Sequence, residues 1–218
     1  MTTSVVVLPG PITGQYLPPG SASAELVVAA DAGLELATAL GLRPHVVVGD
    51  LDSVAMHALQ RAIDQGIEIE RHPADKDQTD FELAMQRAVA ADPDQVIVLG
   101  GGGGRLDHLL GNLAVLSGKR AHGAVVEAWF GSTLAVPVVG SWQRSFAEGS
   151  VLSIIPWGGP VTVTAAGLRW PLRDEVLHPH HTRGISNETT GPLTRIDVAS
   201  GLAWIIAADA VETGAFNS

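Results

Sequence analysis

The sequence contains no cysteine, which excludes disulfide bonds and thiolate chemistry. Lysine is also scarce. The chain contains two lysines, Lys76 and Lys119, so arginine carries most of the positive charge. The chain has 13 Lys+Arg against 23 Asp+Glu, and its formal net charge is -10. Because a nucleic-acid backbone is bound by clustered basic residues, this balance argues against a nucleic-acid partner.

Long apolar runs are also missing. None approaches the roughly 20 residues that span a bilayer, and the start Met1–Ser4 lacks the basic residues of a signal peptide. We therefore expect a soluble, cytoplasmic protein with no membrane partner. With 218 residues, 46% of them hydrophobic, the chain can form one large or two small domains with a real core.

Short apolar runs rich in β-branched residues alternate with helical patterns in the first part of the chain. The predicted strands are Ser4–Leu8, Leu26–Ala30, His45–Gly49, Ile67–Arg71, Gln95–Gly100 and Ala124–Phe130. The predicted helices are Gly33–Leu40, Val54–Gln65, Asp80–Ala91 and Leu106–Ser117. This order predicts an α/β domain with a mostly parallel sheet and helices on both faces.

The pattern changes near Gly140, after which helical periodicity disappears. Apolar runs broken by Gly and Pro predict short strands at Val151–Ile155, Val161–Ala165, Leu193–Val198 and Leu202–Ala207. They indicate a smaller all-β sandwich domain. We place the domains at residues 1–138 and 139–218, with the chain crossing between them at Ala135–Ser141. The tryptophans of the second domain are predicted to lie in its core or at an interface: Trp157, Trp170 and Trp204.

Two aspartates follow the strand that ends at Gly49. Asp50 and Asp52 are two residues apart, and an extended segment would place both carboxylates on the same side. Taken alone, the pair is more typical of a solvated or helix-capping segment, with Asp52 or Ser53 as the cap. A second acidic cluster at Asp75–Asp80 favours a binding site instead.

The second cluster opens a helix. Thr79 and Glu82 have the spacing of a capping box, a structural role that does not exclude phosphate binding at the same helix N-terminus. Asp80, in the first turn, is suited to the helix dipole or to a metal ion. Lys76 either balances neighbouring carboxylates or contacts a phosphate, and the sequence does not decide between the two.

A glycine run, Gly100–Gly104, joins a predicted strand to a predicted helix. Its backbone N–H groups are able to face phosphate oxygens, although a flexible turn is an equally good interpretation of the run alone. Arg105, His108 and Asn112 follow at spacings that share one helix face, which indicates a ligand site or a solvated outer face.

These segments all lie at or just after the carboxyl ends of predicted strands, where parallel sheets bind ligands. They are Asp31, Asp50, the Asp75–Asp80 cluster and the Gly100–Gly104 run. Crowded carboxylates beside a glycine loop suggest Mg²⁺ holding a polyphosphate. By contrast, the histidines of His178–His181 are predicted to belong to a solvated loop, because no matching ligand cluster stands near them in the sequence.

Taken in order, these motifs resemble the thiamine pyrophosphokinase (thiamine diphosphokinase) family. The matching segments are Asp31–Gly33, Gly49–Ser53, Asp75–Asp80, Gly101–Arg105 with Asp107, His108 and Asn112, Gly167–Leu172, and Gly184–Asn187. The resemblance implies transfer of diphosphate from ATP to the hydroxyethyl oxygen of thiamine, with release of AMP. It also implies an α/β catalytic domain, a C-terminal β-sandwich and a homodimer with active sites between subunits.

The same resemblance implies roles for individual residues. The implied Mg²⁺ ligands are Asp50, Asp52, Asp80 and Asp107. The implied ATP contacts are Asp31, Thr79, Gly101, Gly102, Gly103, Gly104, Arg105, His108 and Asn112. The implied thiamine contacts are Ser186 and Asn187. Catalysis is expected from Asp50, Asp52, Asp77, Asp80 and Arg105, with Asp77 or Asp80 as the proton acceptor.

The chain departs from the family pattern at two places. Ala32 and Glu35 stand where the family commonly has glycine and asparagine. After Ser186 and Asn187, the aromatic residue that some members carry is replaced by Glu188-Thr189-Thr190. Stacking on thiamine is therefore expected to come from another part of the chain. The alternatives to this activity are a nucleotide- or thiamine-binding sensor and a D-x-D glycosyl- or nucleotidyltransferase.

Overall fold

The computed structural model describes residues 1–10, 16–119 and 123–210. The chain divides into two compact units, Met1–Gly131 and Ser132–Ser218. Among the described residues, no helix combines the length and the apolar character that a membrane span requires.

The first unit alternates strands and helices. Its strands are β1 (Thr3–Val7), β2 (Leu26–Ala30), β3 (Val46–Gly49), β4 (Glu68–Arg71), β5 (Gln95–Leu99) and β6 (Val125–Phe130). Its helices are α1 (Gly33–Ala39), α2 (Met56–Asp64), α3 (Asp80–Val89) and α4 (Leu106–Lys119). Each element differs from its predicted bounds by at most two residues at either end, so the predicted α/β order is confirmed.

The strands of this unit pair in parallel, in the order β6-β5-β1-β2-β3-β4. The central strand β1 is buried along its whole length. The chain runs outward from β1 to β4 on one side and from β5 to β6 on the other. The order therefore reverses between β1 and β5, and a crevice opens at the carboxyl ends of strands at such a reversal.

Helix α1 lies unusually close to β1 because it begins with a glycine. A Cβ atom at Gly33 would stand 2.0 Å from the carbonyl oxygen of Val7. A side chain there would force the helix away from the sheet. The close approach fixes the β2–α1 turn, which carries Asp31, directly beside the end of β1.

The second unit is all-β and antiparallel. It contains β7 (Thr133–Ser145), β8 (Val151–Ala166), β9 (Leu172–Leu177), β10 (Asn187–Glu188) and β11 (Leu193–Ala207). Strand β11 pairs with both β7 and β8, and β8 also pairs with β9 and β10. An α/β unit followed by a smaller β unit is the predicted fold class, which is confirmed.

Two details of the second unit differ from prediction. Pairs of predicted short strands are joined into the long strands β8 and β11, whose register shifts between Val198 and Leu202. Bulges of this kind keep a ladder intact where Gly and Pro interrupt the sequence pattern. The predicted crossing at Ala135–Ser141 lies inside β7, and the units divide between Gly131 and Ser132 rather than after residue 138.

The tryptophans of the second unit occupy different environments. Trp204 is 1% exposed, and its ring meets that of half-buried Trp157 edge-on, with centroids 6.4 Å apart. These two positions agree with the predicted core role. Trp170 is 45% exposed, so of its two predicted environments the core is excluded and an interface remains a prediction. It lies just before β9, where its ring faces solvent.

Candidate active site

The acidic residues that follow β2 and β3 lie together. Asp31, Asp50 and Asp52 each place one carboxylate oxygen within 4.8 Å of the other two. An extended Asp50–Asp52 segment was expected from the sequence, but the segment turns, because Leu51 has a left-handed φ of 66°. The Asp52 N–H donates to Asp50 Oδ1 at 3.1 Å. A tight turn of this type, rather than strand alternation, brings the two carboxylates to one place.

A fourth carboxylate joins this cluster from the first residue of α3. A Cβ atom at Gly49 would lie 3.2 Å from Asp80 Oδ1 and 3.3 Å from Asp31 Oδ1. Both of these oxygens are buried and accept no hydrogen bond among the described residues. Asp80 Oδ1 instead forms an ion pair with Lys76 Nζ at 3.1 Å. We call Asp31, Asp50, Asp52 and Asp80 the acidic cluster.

Lys76 sits against this cluster. Besides Asp80, its Nζ lies 3.9 Å from Asp50 Oδ2, and its side chain is 15% exposed. Of the two roles that the sequence allowed, the geometry favours balancing of the carboxylates. The lysine supplies one positive charge where four carboxylates meet, which leaves the site with a strong excess of negative charge.

Burial and neighbouring carboxylates both change the pKa of Asp31. Burial raises the pKa of its carboxyl above the ordinary value, and the neighbouring charges of Asp80, Asp50 and Asp52 add to the increase. A hydrogen bond from Ser53 Oγ at 2.6 Å acts in the opposite direction. The folded site therefore disfavours the negative charge that it carries at neutral pH, and a bound cation would relieve this penalty.

A cavity of about 440 Å³ lies beside the cluster, at the sheet reversal between β1 and β5. It is lined by Leu8, Pro9, Gly10, Ala30, Asp31, Thr79, Asp80, Phe81, Gly101, Gly102, Gly103, Gly104, Arg105, His108 and Asn112. The structure thus brings every predicted ATP-contacting residue to the wall of one cavity. Its size is in the range of small-molecule sites.

The glycine loop forms one wall of this cavity. The Gly101 N–H donates to Pro9 O at 3.0 Å, whereas the N–H groups of Gly102, Gly103 and Gly104 find no acceptor in the described part of the chain. A Cβ atom at Gly102 would stand 2.7 Å from Phe130 Cβ, so a side chain does not fit there. Three consecutive N–H groups without an acceptor in the described residues are available to an anion.

The polar face of α4 borders the same loop. Asn112 Nδ2 donates to Gly101 O at 3.4 Å and so ties the loop to the helix. Arg105 donates to both carboxylate oxygens of Asp107, at 3.1 and 2.5 Å. This hydrogen bonding lowers the pKa of the exposed Asp107 carboxyl to about 2. Asp107 pairs with Arg105 and is not among the carboxylates that converge in the described residues.

Thr79 and Asp77, two predicted site residues of the loop before α3, lie in different environments. Thr79 Oγ1 accepts from the Glu82 N–H at 3.2 Å, so its predicted capping role is confirmed, and Thr79 also lines the cavity. Asp77 is exposed and makes no ion pair or hydrogen bond with any other described residue. Of the two candidate proton acceptors, Asp80 is therefore the one at the cavity wall.

In the second unit, Ser186 and Asn187 differ sharply in exposure. Ser186 is exposed, with a left-handed φ of 54°, and its N–H donates to Ser153 Oγ at 3.0 Å. Asn187 is 2% exposed. Its amide accepts from the Trp170 N–H at 3.1 Å and donates to the Trp170 carbonyl at 2.7 Å. Asn187 thus holds the backbone of Trp170, a contact that was not predicted from the sequence.

Trp170, whose backbone is bonded to the Asn187 amide, presents a partly exposed aromatic ring. The guanidinium of Arg169 lies 4.9 Å from the ring centroid on one side and pairs with Glu188 at 2.8 Å. The indole remains 45% exposed. The sequence held a signal for this feature, since Trp170 belongs to the Gly167–Leu172 motif, whereas its proximity to Asn187 depends on the tertiary fold.

Family models match both units of the chain. Residues 21–126 match "Thiamin pyrophosphokinase, catalytic domain", and residues 141–203 match "Thiamin pyrophosphokinase, vitamin B1 binding domain". The chain belongs to the thiamin pyrophosphokinase family. The resemblance found in the sequence motifs is thereby confirmed, and the acidic cluster and glycine loop lie within the catalytic match.

Individual thiamine pyrophosphokinases are also similar to this chain in sequence. The chain is 30% identical to thiamine pyrophosphokinase 1 of Oryza sativa over 175 residues, which cover 75% of this chain and 66% of the rice protein. It is 27% identical to thiamine pyrophosphokinase of Bacillus subtilis over 184 residues, or 83% of this chain and 86% of that protein. The chain therefore spans about two thirds of the rice relative's length.

Solved structures show the same fold. The Bacillus subtilis thiamine pyrophosphokinase structure matches with a TM-score of 0.83 at 22% identity, covering 95% of this chain and 99% of that chain. A thiamin pyrophosphokinase from Candida albicans matches with a TM-score of 0.79 at 15% identity, covering 95% and 89%. These likenesses establish the fold.

Ala32 and Glu35, which differ from the residues common in the family, both have structural explanations. Ala32 has φ -62°, an ordinary conformation that needs no glycine. Glu35 Oε1 accepts from the Ala55 N–H at 2.9 Å, which satisfies a donor at the start of α2. The residue at position 35 therefore supports the next helix in this member of the thiamin pyrophosphokinase family.

Replacing Asp31 with asparagine is expected to stabilise the Mg²⁺-free protein. Because folding raises the pKa of Asp31, its stabilising contribution is present at low pH and is lost as pH rises through its ionisation. At neutral pH the amide removes the disfavoured charge and tolerates the left-handed φ of 52°. We expect a Tm increase of about 2–4 °C at most, since solvent screens a partly exposed group.

Thermal unfolding of the Asp31→Asn variant and the unmodified protein, each with and without Mg²⁺, checks this result. The increase should be absent near pH 3, and Mg²⁺ should stabilise the variant less than the unmodified protein. A lower Tm in Mg²⁺-free buffer at pH 7 would show that the charge of Asp31 does not destabilise the folded protein.

Proposed function

We propose that the protein transfers the terminal diphosphate group of ATP to the hydroxyethyl oxygen of thiamine, giving thiamine diphosphate and AMP. The observation that carries the proposal is the position of the acidic cluster beside three free N–H groups of the glycine loop, at one cavity. Carboxylates and anion-binding amides are both needed by a metal–polyphosphate substrate. Membership of the thiamin pyrophosphokinase family supports the choice of acceptor.

The acidic cluster fits Mg²⁺. Three of its carboxylates already place oxygens within 4.8 Å of one another, and Asp31 and Asp80 each retain a buried oxygen without a hydrogen bond. Hard oxygen ligands of this kind are what Mg²⁺ takes in proteins. When bound, Mg²⁺ neutralises phosphate charge during transfer. In this chain Asp50, Asp52 and Asp80 would hold it, with Asp31 adjacent.

The protein's own groups would position the donor. The N–H groups of Gly102, Gly103 and Gly104 donate to phosphate oxygens, and Asn112 holds the loop in place. Arg105 lies at the cavity wall, where it offsets charge on the polyphosphate after leaving Asp107. Asp107 is thus proposed to orient Arg105 in the absence of ATP, and its predicted role as a metal ligand remains a prediction.

The reaction forms one bond and breaks one bond. The thiamine hydroxyl oxygen attacks the β-phosphorus, and the bond from that phosphorus to the α,β-bridging oxygen breaks, releasing AMP. The hydroxyl proton passes to a carboxylate. Of the two predicted acceptors, Asp80 lines the cavity but is also a proposed Mg²⁺ ligand, whereas Asp77 is exposed and has no such competing role. Their asparagine variants distinguish the two.

Acceptor binding is assigned to the second unit. The open face of Trp170 supplies the aromatic surface that is missing after Asn187, and the exposed Ser186 hydroxyl is available to a ligand. A cationic thiazolium ring is attracted to an indole face. The negative charge of the chain also favours a cationic acceptor over an anionic one.

Incubation with ATP, Mg²⁺ and thiamine tests the function directly. Thiamine-dependent AMP release, with thiamine diphosphate detected as the second product, is the expected result. Binding of both compounds without turnover would identify a sensor. Nucleotide turnover that does not depend on thiamine would instead favour a D-x-D transferase and would overturn the assignment.

Replacing Trp170 with alanine is expected to raise the KM for thiamine about 10-fold, because aromatic stacking contributes on the order of 1 kcal/mol. The KM for ATP should change little. Trp170→Phe is the matched control, since it retains a ring and should stay within about 3-fold of the unmodified protein. Steady-state kinetics with each substrate varied separately checks this, and an unchanged thiamine KM in the alanine variant would remove Trp170 from the site.

We further propose that the protein is a cytoplasmic homodimer. Two copies would allow the acceptor-binding residues of one subunit to serve the ATP site of another. Sedimentation analysis checks the dimer, and mixing Asp52→Asn subunits with Trp170→Ala subunits, at a thiamine concentration below the raised KM, checks the sharing of sites. Recovery of activity in the mixture is expected only if one active site draws on both chains.

A further inference from the structure

A turn between β9 and β10 gathers three histidine side chains. The His181 N–H donates to the His178 carbonyl at 3.0 Å, which closes a four-residue turn with Pro179 at its second position. Proline is favoured at that position because its φ is already fixed. Histidines therefore occupy the first, third and fourth positions of a turn that loses little entropy when it forms.

The rings lie close to one another. Ring centroids are 5.5 Å apart for His178 and His180, 5.6 Å for His178 and His181, and 4.5 Å for His180 and His181. With metal–nitrogen bonds of about 2.0–2.1 Å, a bound imidazole centroid lies roughly 3.2 Å from the metal. Two such rings are then about 5.2 Å apart at a tetrahedral angle and about 4.5 Å apart at a right angle. The observed spacings match rings that surround one ion.

The ring nitrogens require reorientation before they converge. Among the described residues, Asp31, Asp50 and Asp52 form the group whose three ligand atoms already lie within 4.8 Å of one another. Binding would require each imidazole to rotate about its Cβ–Cγ bond, a torsion that has a broad energy profile. None of the three rings makes a hydrogen bond or ion pair in the described part of the chain, so the rotation breaks no such bond.

The surroundings support the turn without competing for the histidines. Glu175 is engaged by Arg183 through two hydrogen bonds of 2.8 and 3.1 Å. The Gly184 carbonyl accepts from the Ile154 N–H at 2.8 Å and so anchors the loop to β8. His180 and His181 are exposed, and His178 is half-buried. Solvent therefore reaches the position that an ion would occupy.

We propose that His178, His180 and His181 form a surface site for one divalent transition-metal ion of the zinc, nickel or copper class. Imidazole nitrogen is a preferred ligand for these ions and a poor one for Mg²⁺. Three histidines leave at least one coordination position for water or another ligand. The site belongs to the second unit and is independent of the acidic cluster and of the proposed diphosphate transfer.

Calorimetric titration of untagged protein with ZnCl₂, in buffer containing excess MgCl₂ to occupy the acidic cluster, tests the proposal. One Zn²⁺ per chain is expected. The double substitution His180→Gln/His181→Gln should weaken this binding at least about 100-fold, since loss of outer-shell partners alone costs about 10–100-fold. His57→Gln is the matched control, because His57 is an exposed histidine of α2, and it should bind as the unmodified protein does.

Spectra of bound Cu²⁺ provide a second measurement on the same proteins. Electron paramagnetic resonance should show coupling to three imidazole nitrogens in the unmodified protein and in His57→Gln. The double variant should lack this signal while its circular dichroism is unchanged. Zn²⁺ binding of equal strength in the double variant, or no binding in the unmodified protein, would overturn the proposal.

Discussion

Asp52→Asn is expected to lower turnover at least about 100-fold, the loss typical of removing one preorganised electrostatic group from a phosphoryl-transfer site. The substitution keeps the size of the side chain and removes one charge from the acidic cluster. Asp52 is exposed, and its carboxylate makes no hydrogen bond or ion pair in the described residues, so no folding contact is lost. Mg²⁺-free stability should stay constant or rise, because repulsion on Asp31 decreases.

AMP release at saturating ATP and thiamine measures the effect, with thermal unfolding of the same samples as the check on folding. Asp64→Asn is the matched control, since Asp64 is an exposed residue of α2. Its carboxylate accepts a hydrogen bond from Gln60 at 2.9 Å, and the amide oxygen of asparagine is able to accept the same bond. Near-normal turnover in Asp52→Asn would refute its metal role. Loss of activity in both variants would point to a general charge effect instead.

The α/β unit was predictable because its signals are local. Buried parallel strands require continuous apolar runs, as in β1, and amphipathic helices separate them. Thr79 and Glu82 marked the start of α3 through their own hydrogen bond. Once the strand order is known, the meeting of the acidic cluster and glycine loop follows from the geometry of parallel sheets.

The second unit was less predictable because its organisation depends on long-range pairing. Strand β11 continues through a register shift near Ser200, where Gly and Ser interrupt the apolar pattern. Sequence alternation alone divides such a strand into two. The start of β7 at Thr133 was likewise hidden, since Pro137 and Gly140 are typical of a linker.

Several features of the site also depend on the fold. The left-handed Leu51 and the Arg105–Asp107 pair arise from backbone and side-chain geometry that spacing does not specify. The hydrogen bonds between Asn187 and Trp170 join residues 17 positions apart. The motif that contains Trp170 was visible in the sequence, but its exposure was not.

Asn187→Ala is expected to impair both stability and thiamine binding. The Asn187 side chain is 2% exposed, and its amide bonds the Trp170 N–H, the Trp170 carbonyl and the Glu188 N–H at 3.1, 2.7 and 3.0 Å. Each buried group left unsatisfied costs about 1–3 kcal/mol. We expect a loss of about 2–4 kcal/mol, a Tm decrease of roughly 5–15 °C, and a thiamine KM about 10–100-fold higher.

Asn112→Ala is the control for this substitution, because it removes an amide from the cavity wall of the first unit and should alter the KM for ATP rather than for thiamine. Assays at a temperature below both unfolding transitions separate binding from stability. An Asn187→Ala protein with unchanged thiamine KM would show that Trp170 needs no support from this amide.

A double-mutant cycle decides whether Asn187 acts through Trp170 or contacts thiamine itself. If the amide only positions the indole, adding Asn187→Ala to Trp170→Ala should leave the thiamine KM at its Trp170→Ala value, because the group being positioned is already gone. If the amide touches thiamine, the two KM increases should multiply. The structure predicts the first result, since the amide is buried and bonds three backbone groups. The stability loss should persist in the double variant, because the Trp170 backbone groups remain unsatisfied when the indole is removed.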